Sequence, residues 1–366
     1  MQSVLLASQS KIKLEVVAKV FPPEQYVITC VDCDICGLPA QPVNSAARCA
    51  KVRLNYAKKQ TFPMNFDYYI AIENGLRHYE AVDGDKIFEE CHVLIEHRDL
   101  LAESMGEIVL KVPHKYWSLL SKTNRTEIPD HKVSGYDTTI GDLMHIDDPS
   151  IDSKNWVKSY HGVCRTKQIK SSITSAMREL SGSLETAKII TGKYKSYTDY
   201  PTTRSELCSD PKPGIVFQDF FSIIREPEDV QRLIALLADQ YIFDNIKYVV
   251  GPESRGFFGF GLSCAGGYGF IPLRKKGKLP GKIESITYDT EYSTDTLECP
   301  CDIPYGSRVV VFDDLIATGG SLRASCDLLE KLNCEIVDCV VLREVLSLRE
   351  VAKQKLGRPY KVLLRD

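Results

Sequence analysis

Apolar residues follow two alternating rhythms along this chain. Short runs rich in Val, Ile, Leu and aromatic residues predict strands at Ser3–Ala7, Tyr26–Cys33 and Tyr68–Ile72 in the first half. The second half gives Ile246–Gly251, Phe270–Leu273, Arg308–Phe312 and Ile336–Leu342. Between them, apolar positions recur every three or four residues. Lys11–Phe21, with Ile12, Val16, Val17 and Val20, predicts a helix. So do Glu226–Tyr241, opened by Pro227 and two acids, and Ser321–Leu332. Strand–helix alternation of this kind predicts an α/β protein with an open, mostly parallel sheet flanked by helices.

The length, 366 residues, argues for two domains at roughly 150 residues each. Histidine marks the division. All seven lie before residue 162, so a Ser-His-Asp or Cys-His nucleophile inside the second half is excluded. Ser181-Gly182-Ser183 and the proline-bearing stretch 196–213 read as breakers. The expected division is a domain at 1–180, a linker at 181–195 and a domain at 196–366. Lys plus Arg is 46 and Asp plus Glu is 49, a net charge of −3. That balance excludes wholesale binding of nucleic acid or an anionic membrane. No apolar run reaches the ~18 residues of a spanning helix, and the start is the reverse of a signal peptide, so a cytoplasmic location is expected. Thirteen cysteines at irregular spacing read as core residues in a reducing compartment. Cys30, Cys33 and Cys36 invite a metal reading. Cys30 and Cys33 fall on opposite faces of a strand, however, and no second pair stands at zinc-finger spacing, so no protein-held metal is expected.

The segment Arg308-Val-Val-Val-Phe-Asp-Asp-Leu-Ile-Ala-Thr-Gly-Gly-Ser321 carries the clearest chemistry. A buried strand leads to two adjacent carboxylates, a loop of small residues and a helix start. Ligands of open α/β sheets bind where strands end, and a helix N-terminus offers amides to an anion. Thr318, Gly319 and Gly320 let the backbone approach a phosphate. Asp313 and Asp314 would face hydroxyls, which together suits a sugar phosphate.

This segment resembles the phosphoribosyl-diphosphate loop of type I phosphoribosyltransferases. Pro213–Asp219, Glu253-Ser-Arg-Gly-Phe257, Arg274–Gly281 and Tyr288–Tyr292 stand in the order of the adenine phosphoribosyltransferase family, so the resemblance covers about residues 196–366. It implies purine salvage: adenine plus phosphoribosyl diphosphate gives AMP and pyrophosphate, with Mg²⁺ carried on the diphosphate, in a homodimer. It also implies roles. Glu291 and Arg255 would be catalytic. Asp313, Asp314, Ala317, Thr318, Gly319, Gly320, Ser321, Ser254, Arg274, Lys275 and Lys278 would bind phosphoribosyl diphosphate, the basic run acting as a mobile lid that excludes water. Val216, Phe217 and Gln218 would hold adenine, with Gln218 standing where the family often has Arg.

Residues 1–180 resemble the inosine/xanthosine triphosphatase family. The features are Val4-Leu-Leu-Ala-Ser-Gln-Ser-Lys-Ile-Lys13, Gln41-Pro42 before a basic helix, and Ile70-Ala-Ile-Glu-Asn-Gly-Leu76. The resemblance implies nucleotide contacts from Ser8, Lys13 and Glu73. Ser10-Lys11 replaces the family's Asn-Pro, and Asn44–Ala47 lacks its acid. Metal-dependent hydrolysis needs such carboxylates, so a nucleotide-binding or structural remnant is expected here. Two alternatives stand beside the leading reading: a bifunctional enzyme whose first half also hydrolyses inosine or xanthosine triphosphate, and a non-catalytic nucleotide-binding regulator. An intact basic run and Glu291 speak against the regulator.

Overall fold

The computed structural model describes the chain except residues 34–36, 83, 98–99, 107, 194, 198–216, 242–243, 254–257, 290–293 and 366. It forms two compact units, Met1–Gly182 with Phe243–Asn245, and Ser183–Ile242 with Ile246–Asp366. Among the described residues no helix is long and apolar enough to cross a membrane.

The first unit is built on a sheet ordered Tyr26–Cys30, Gln2–Leu6, Tyr68–Tyr79, Lys86–His97 and Leu100–Met105, with Leu110–Lys111 also on Lys86–His97. Gln2–Leu6 runs parallel to both neighbours, and the later pairings are antiparallel. The helix Ala46–Thr61 buries Ala50, Leu54 and Ala57 in a core with Leu5, Ala71 and Leu94. The expected strand Tyr68–Ile72 runs on to Tyr79, straight through Glu73 and Gly75. Backbone pairing with Lys86–His97 persists whatever the side chains are. Gly75 is required there by space: a Cβ would lie 2.7 Å from that of Ala46 and 3.0 Å from the Pro42 carbonyl.

The linker expected at 181–195 is not a linker through Gly192, because a single helix covers Arg165–Gly192. Ile169, Ile173, Ala176, Leu180, Ala187 and Ile190 are all buried on it, and their three-, four- and seven-residue spacing keeps one apolar face in register. That face outweighs the helix cost of Gly182, about 1 kcal/mol.

The second unit is a seven-stranded sheet ordered Ile283–Asp289, Thr294–Pro300, Gly269–Lys275, Tyr248–Pro252, Arg308–Ile316, Glu335–Glu344 and Lys361–Val362. Every pair from Gly269–Lys275 to Lys361–Val362 is parallel; the first two strands add an antiparallel hairpin at one edge. Val309, Val311, Val341 and Leu273 form the core with Leu322, Leu328 and Leu329 of the helix Gly320–Lys331. The helices Pro227–Asp239 and Gly320–Lys331 fall within two residues of their expected bounds.

Candidate active site

The strand Arg308–Ile316 lies between Tyr248–Pro252 and Glu335–Glu344, inside the parallel sheet. It continues four residues past the expected end at Phe312, because Leu315 and Ile316 still pair with Arg343 and Glu344. Asp313 and Asp314 therefore sit on the strand rather than after it. Asp314 is buried, and its amide donates to the Asp313 carboxylate at 2.9 Å.

Ala317–Gly319 form the loop, and the helix starts at Gly320. Gly319 caps it with φ +83°, in the left-handed region that a side chain disfavours. No acid occupies the first turn and no side chain caps it, so the positive end of the helix dipole faces the loop uncompensated. Ser321 faces the Tyr288 hydroxyl at 3.4 Å. Burial pushes the Tyr288 phenol up, keeping it neutral. The predicted loop residues Asp313, Asp314, Ala317, Thr318, Gly319, Gly320 and Ser321 are thus together at the carboxyl end of one strand.

The basic run is tied to neighbouring carboxylates by hydrogen bonds and ion pairs. Arg274 Nε donates to Glu253 at 3.3 Å, the Lys275 amide to the same carboxylate at 2.8 Å, and the Lys278 ammonium also pairs with it. The Lys275 ammonium pairs with Asp295 at 3.1 Å, and the Gly277 amide donates to buried Glu298 at 2.9 Å. Burial works to raise the Glu253 pKa, but the bonds from Lys278, Lys275 and Arg274 prevail and hold it at about 2. The sequence marks Glu253 only as the start of Glu253-Ser-Arg-Gly-Phe257, and its contacts with the basic run emerge from the fold.

Phe217 and Gln218 have their backbone in the strand Phe217–Asp219, antiparallel to Lys195–Tyr197. Val216, Ser254, Arg255 and Glu291 lie outside the described residues.

In the first unit, Lys13 and Glu73 line one cavity of about 300 Å³, with Gln41, Asn74, Glu89, Lys154 and Arg165. Ser8 shapes the turn beside it, its hydroxyl accepting from the Ser10 amide at 3.1 Å. Lys13 Nζ donates to the Ile72 carbonyl at 2.6 Å, and Glu73 accepts from Arg53 Nε at 2.6 Å. Glu89, whose pKa burial raises, accepts from Arg165 at 2.8 Å and Gln168 at 2.9 Å.

The chain matches the family described as phosphoribosyl transferase domain over residues 282–356. It is similar to the adenine phosphoribosyltransferase of Nostoc punctiforme, 49% identical over 131 residues, 35% of this chain and 76% of that protein. The likeness to the adenine phosphoribosyltransferase of Eremothecium gossypii is 44% over 160 residues, 42% of this chain and 84% of that one. A solved structure of the Saccharomyces cerevisiae adenine phosphoribosyltransferase is 38% identical, covers 50% of this chain and 99% of its own, and has a TM-score of 0.43.

Proposed function

The chain belongs to the adenine phosphoribosyltransferase family, and from that premise we propose how its second unit carries out the reaction. The enzyme transfers phosphoribosyl from phosphoribosyl diphosphate to adenine, releasing pyrophosphate and AMP, a step of purine salvage. One observation carries the assignment of the site: the two carboxylates, the small-residue loop and a helix start without a side-chain cap meet within Arg308–Lys331 at the carboxyl end of a central parallel strand. The 5-phosphate sits on the loop amides of Thr318, Gly319, Gly320 and Ser321. Asp313 and Asp314 hold ribose hydroxyls. Arg255, Ser254, Arg274, Lys275 and Lys278 take the diphosphate, and Mg²⁺ enters on its oxygens as hard-cation chemistry expects. Glu291 stabilises charge at the ribosyl carbon or moves the proton of the base, and the Val216–Gln218 segment reads adenine. The assembly is a homodimer, which light scattering tests as twice the 41.1 kDa of one chain.

The deciding experiment supplies labelled adenine, hypoxanthine or guanine with phosphoribosyl diphosphate. A site that hydrogen-bonds one purine edge should prefer adenine by about 10³ or more. Comparable turnover of hypoxanthine or guanine would overturn the reading.

A second proposal concerns the first unit: its cavity binds a nucleotide without hydrolysing it. Lys13, Lys154 and Arg165 on the lining supply charge for phosphates. The Mg²⁺ that the triphosphatase resemblance implies does not fit the donors. Glu73 is held by Arg53 and Glu89 by Arg165, and among the described residues no three metal-binding side chains gather into a site. Full-length protein should bind inosine triphosphate yet release no phosphate from it. A Mg²⁺-dependent rate of about 1 per second or faster would refute this.

A further inference from the structure

The mechanism above uses Arg274 and Lys278 but leaves out the carboxylate that holds them. Glu253 follows the strand Tyr248–Pro252, and the parallel register sets Pro252 opposite Leu273. Arg274 and Lys275 therefore come level with Glu253, and the turn brings Lys278 back to it. Three donors from one five-residue segment end on one side chain, which is only 17% exposed.

We propose that Glu253 is a positioning residue for phosphoribosyl diphosphate, fixing Arg274 and Lys278 at the carboxyl end of the sheet before the substrate arrives. The inference rests on the reading that the basic run takes the diphosphate. Unanchored, both long cationic side chains must give up rotamer freedom on binding. Anchored, that ordering is complete in the free enzyme. One carboxylate against two cations leaves the cluster at +1, so it still attracts an anion. The short Arg274-Lys275 strand end and the Gly277 amide bond to Glu298 complete the frame. The carboxylate stays ionised across the working pH range, so the anchor does not switch off.

The test is steady-state kinetics of the full-length chain with phosphoribosyl diphosphate varied and adenine saturating. Glu253→Gln keeps the shape and removes the charge. KM for phosphoribosyl diphosphate should rise about tenfold, with kcat within about twofold because the clamp acts alike in ground and transition states. KM for adenine should not move, and Glu253→Asp should recover part of the loss. Lys278→Met, a second variant independent of any folding defect at Glu253, should raise the same KM. The double variant should be no worse than the poorer single one, because Glu253 acts through the cations. A KM lowered by Glu253→Gln would make Glu253 a competing counter-ion and overturn the inference. So would full additivity in the double variant, or equal effects on adenine. If Lys278→Met and Arg274→Met both leave KM unchanged, the diphosphate reading itself fails; if they raise it and Glu253→Gln does not, only the positioning role fails.

Discussion

Gly319→Ala puts the loop Ala317–Gly319, which we propose holds the phosphate, under strain that can be sized from its geometry. Gly319 holds φ +83° at the helix cap, and a Cβ built there would sit 3.2 Å from the Ala352 carbonyl oxygen and 3.4 Å from the Ala352 Cα. A left-handed conformation costs a residue with a Cβ about 1–2 kcal/mol. The contact asks the Ala352 backbone to yield by a few tenths of an ångström, or the loop to move instead. Two responses are open to the chain. If the loop holds its shape, the second unit should lose about 2–8 °C of melting temperature, at about 2–4 °C per kcal/mol for a unit of this size. If the loop relaxes, the amides of Gly319, Gly320 and Ser321 leave their places, and KM for phosphoribosyl diphosphate should rise about 5–30-fold, the same energy read as affinity. Calorimetry and kinetics on one preparation separate the two. Gly319→Asn is the companion variant, since Asn tolerates φ > 0 better than Ala while making the same Cβ contact. It should fall between wild type and Gly319→Ala. If Gly319→Ala changes neither melting temperature nor KM, the loop is not held as described and the phosphate assignment loses its geometric basis.

Asp313→Asn should raise KM for phosphoribosyl diphosphate at least as much as it lowers kcat, because a ribose hydroxyl is held in ground and transition states alike. Glu291→Gln should lower kcat by about 10²–10⁴-fold at nearly constant KM; nearly full kcat would mean that Glu291 is not catalytic. In the first unit His92 lies between Glu103 at 2.6 Å and Glu90 at 2.7 Å. Burial opposes its charge, but the two carboxylates lift its pKa to about 9. A raised folded pKa gives stability that is complete below the ordinary value of about 6.5 and disappears as pH climbs through about 9, worth at most about 3 kcal/mol. Urea midpoints at about pH 6 and about pH 10 should show that loss, and His92→Gln should flatten it; an unchanged slope in the variant would rule the triad out as its source.

The strand, loop and helix start of Arg308–Ser321 were legible because everything that builds them is local. An apolar strand, two acids, small residues and a helix start follow one another within Arg308–Ser321, so sequence order and spatial order coincide. Glu253 was not legible as an anchor. Its partners are 21 to 25 residues away, and they meet it only through the register of two neighbouring strands. Gln41, Glu89 and Arg165 come from separate elements and share a cavity, so of these spacing could flag only Gln41, through the Gln41-Pro42 pair. Ser181-Gly182-Ser183 misled for the opposite reason. Local propensity pointed to a break, whereas the apolar face from Ile169 to Ile190 runs across it and decides the helix.

That helix bears on how the two units could ever be separated in the laboratory or by evolution. One boundary between the units falls at Gly182–Ser183, inside Arg165–Gly192, while Phe243–Asn245 returns to the first unit. A protease site, a stop codon or a domain swap placed at that boundary would divide a single hydrogen-bonded cylinder. Four buried anchors, Ile169, Ile173, Ala176 and Leu180, would stay on one side, with Ala187 and Ile190 on the other. Each half would inherit a frayed helix end. Either unit expressed alone should therefore keep the whole of Arg165–Gly192, and a first unit ending at Gly182 should melt below one carried through Gly192.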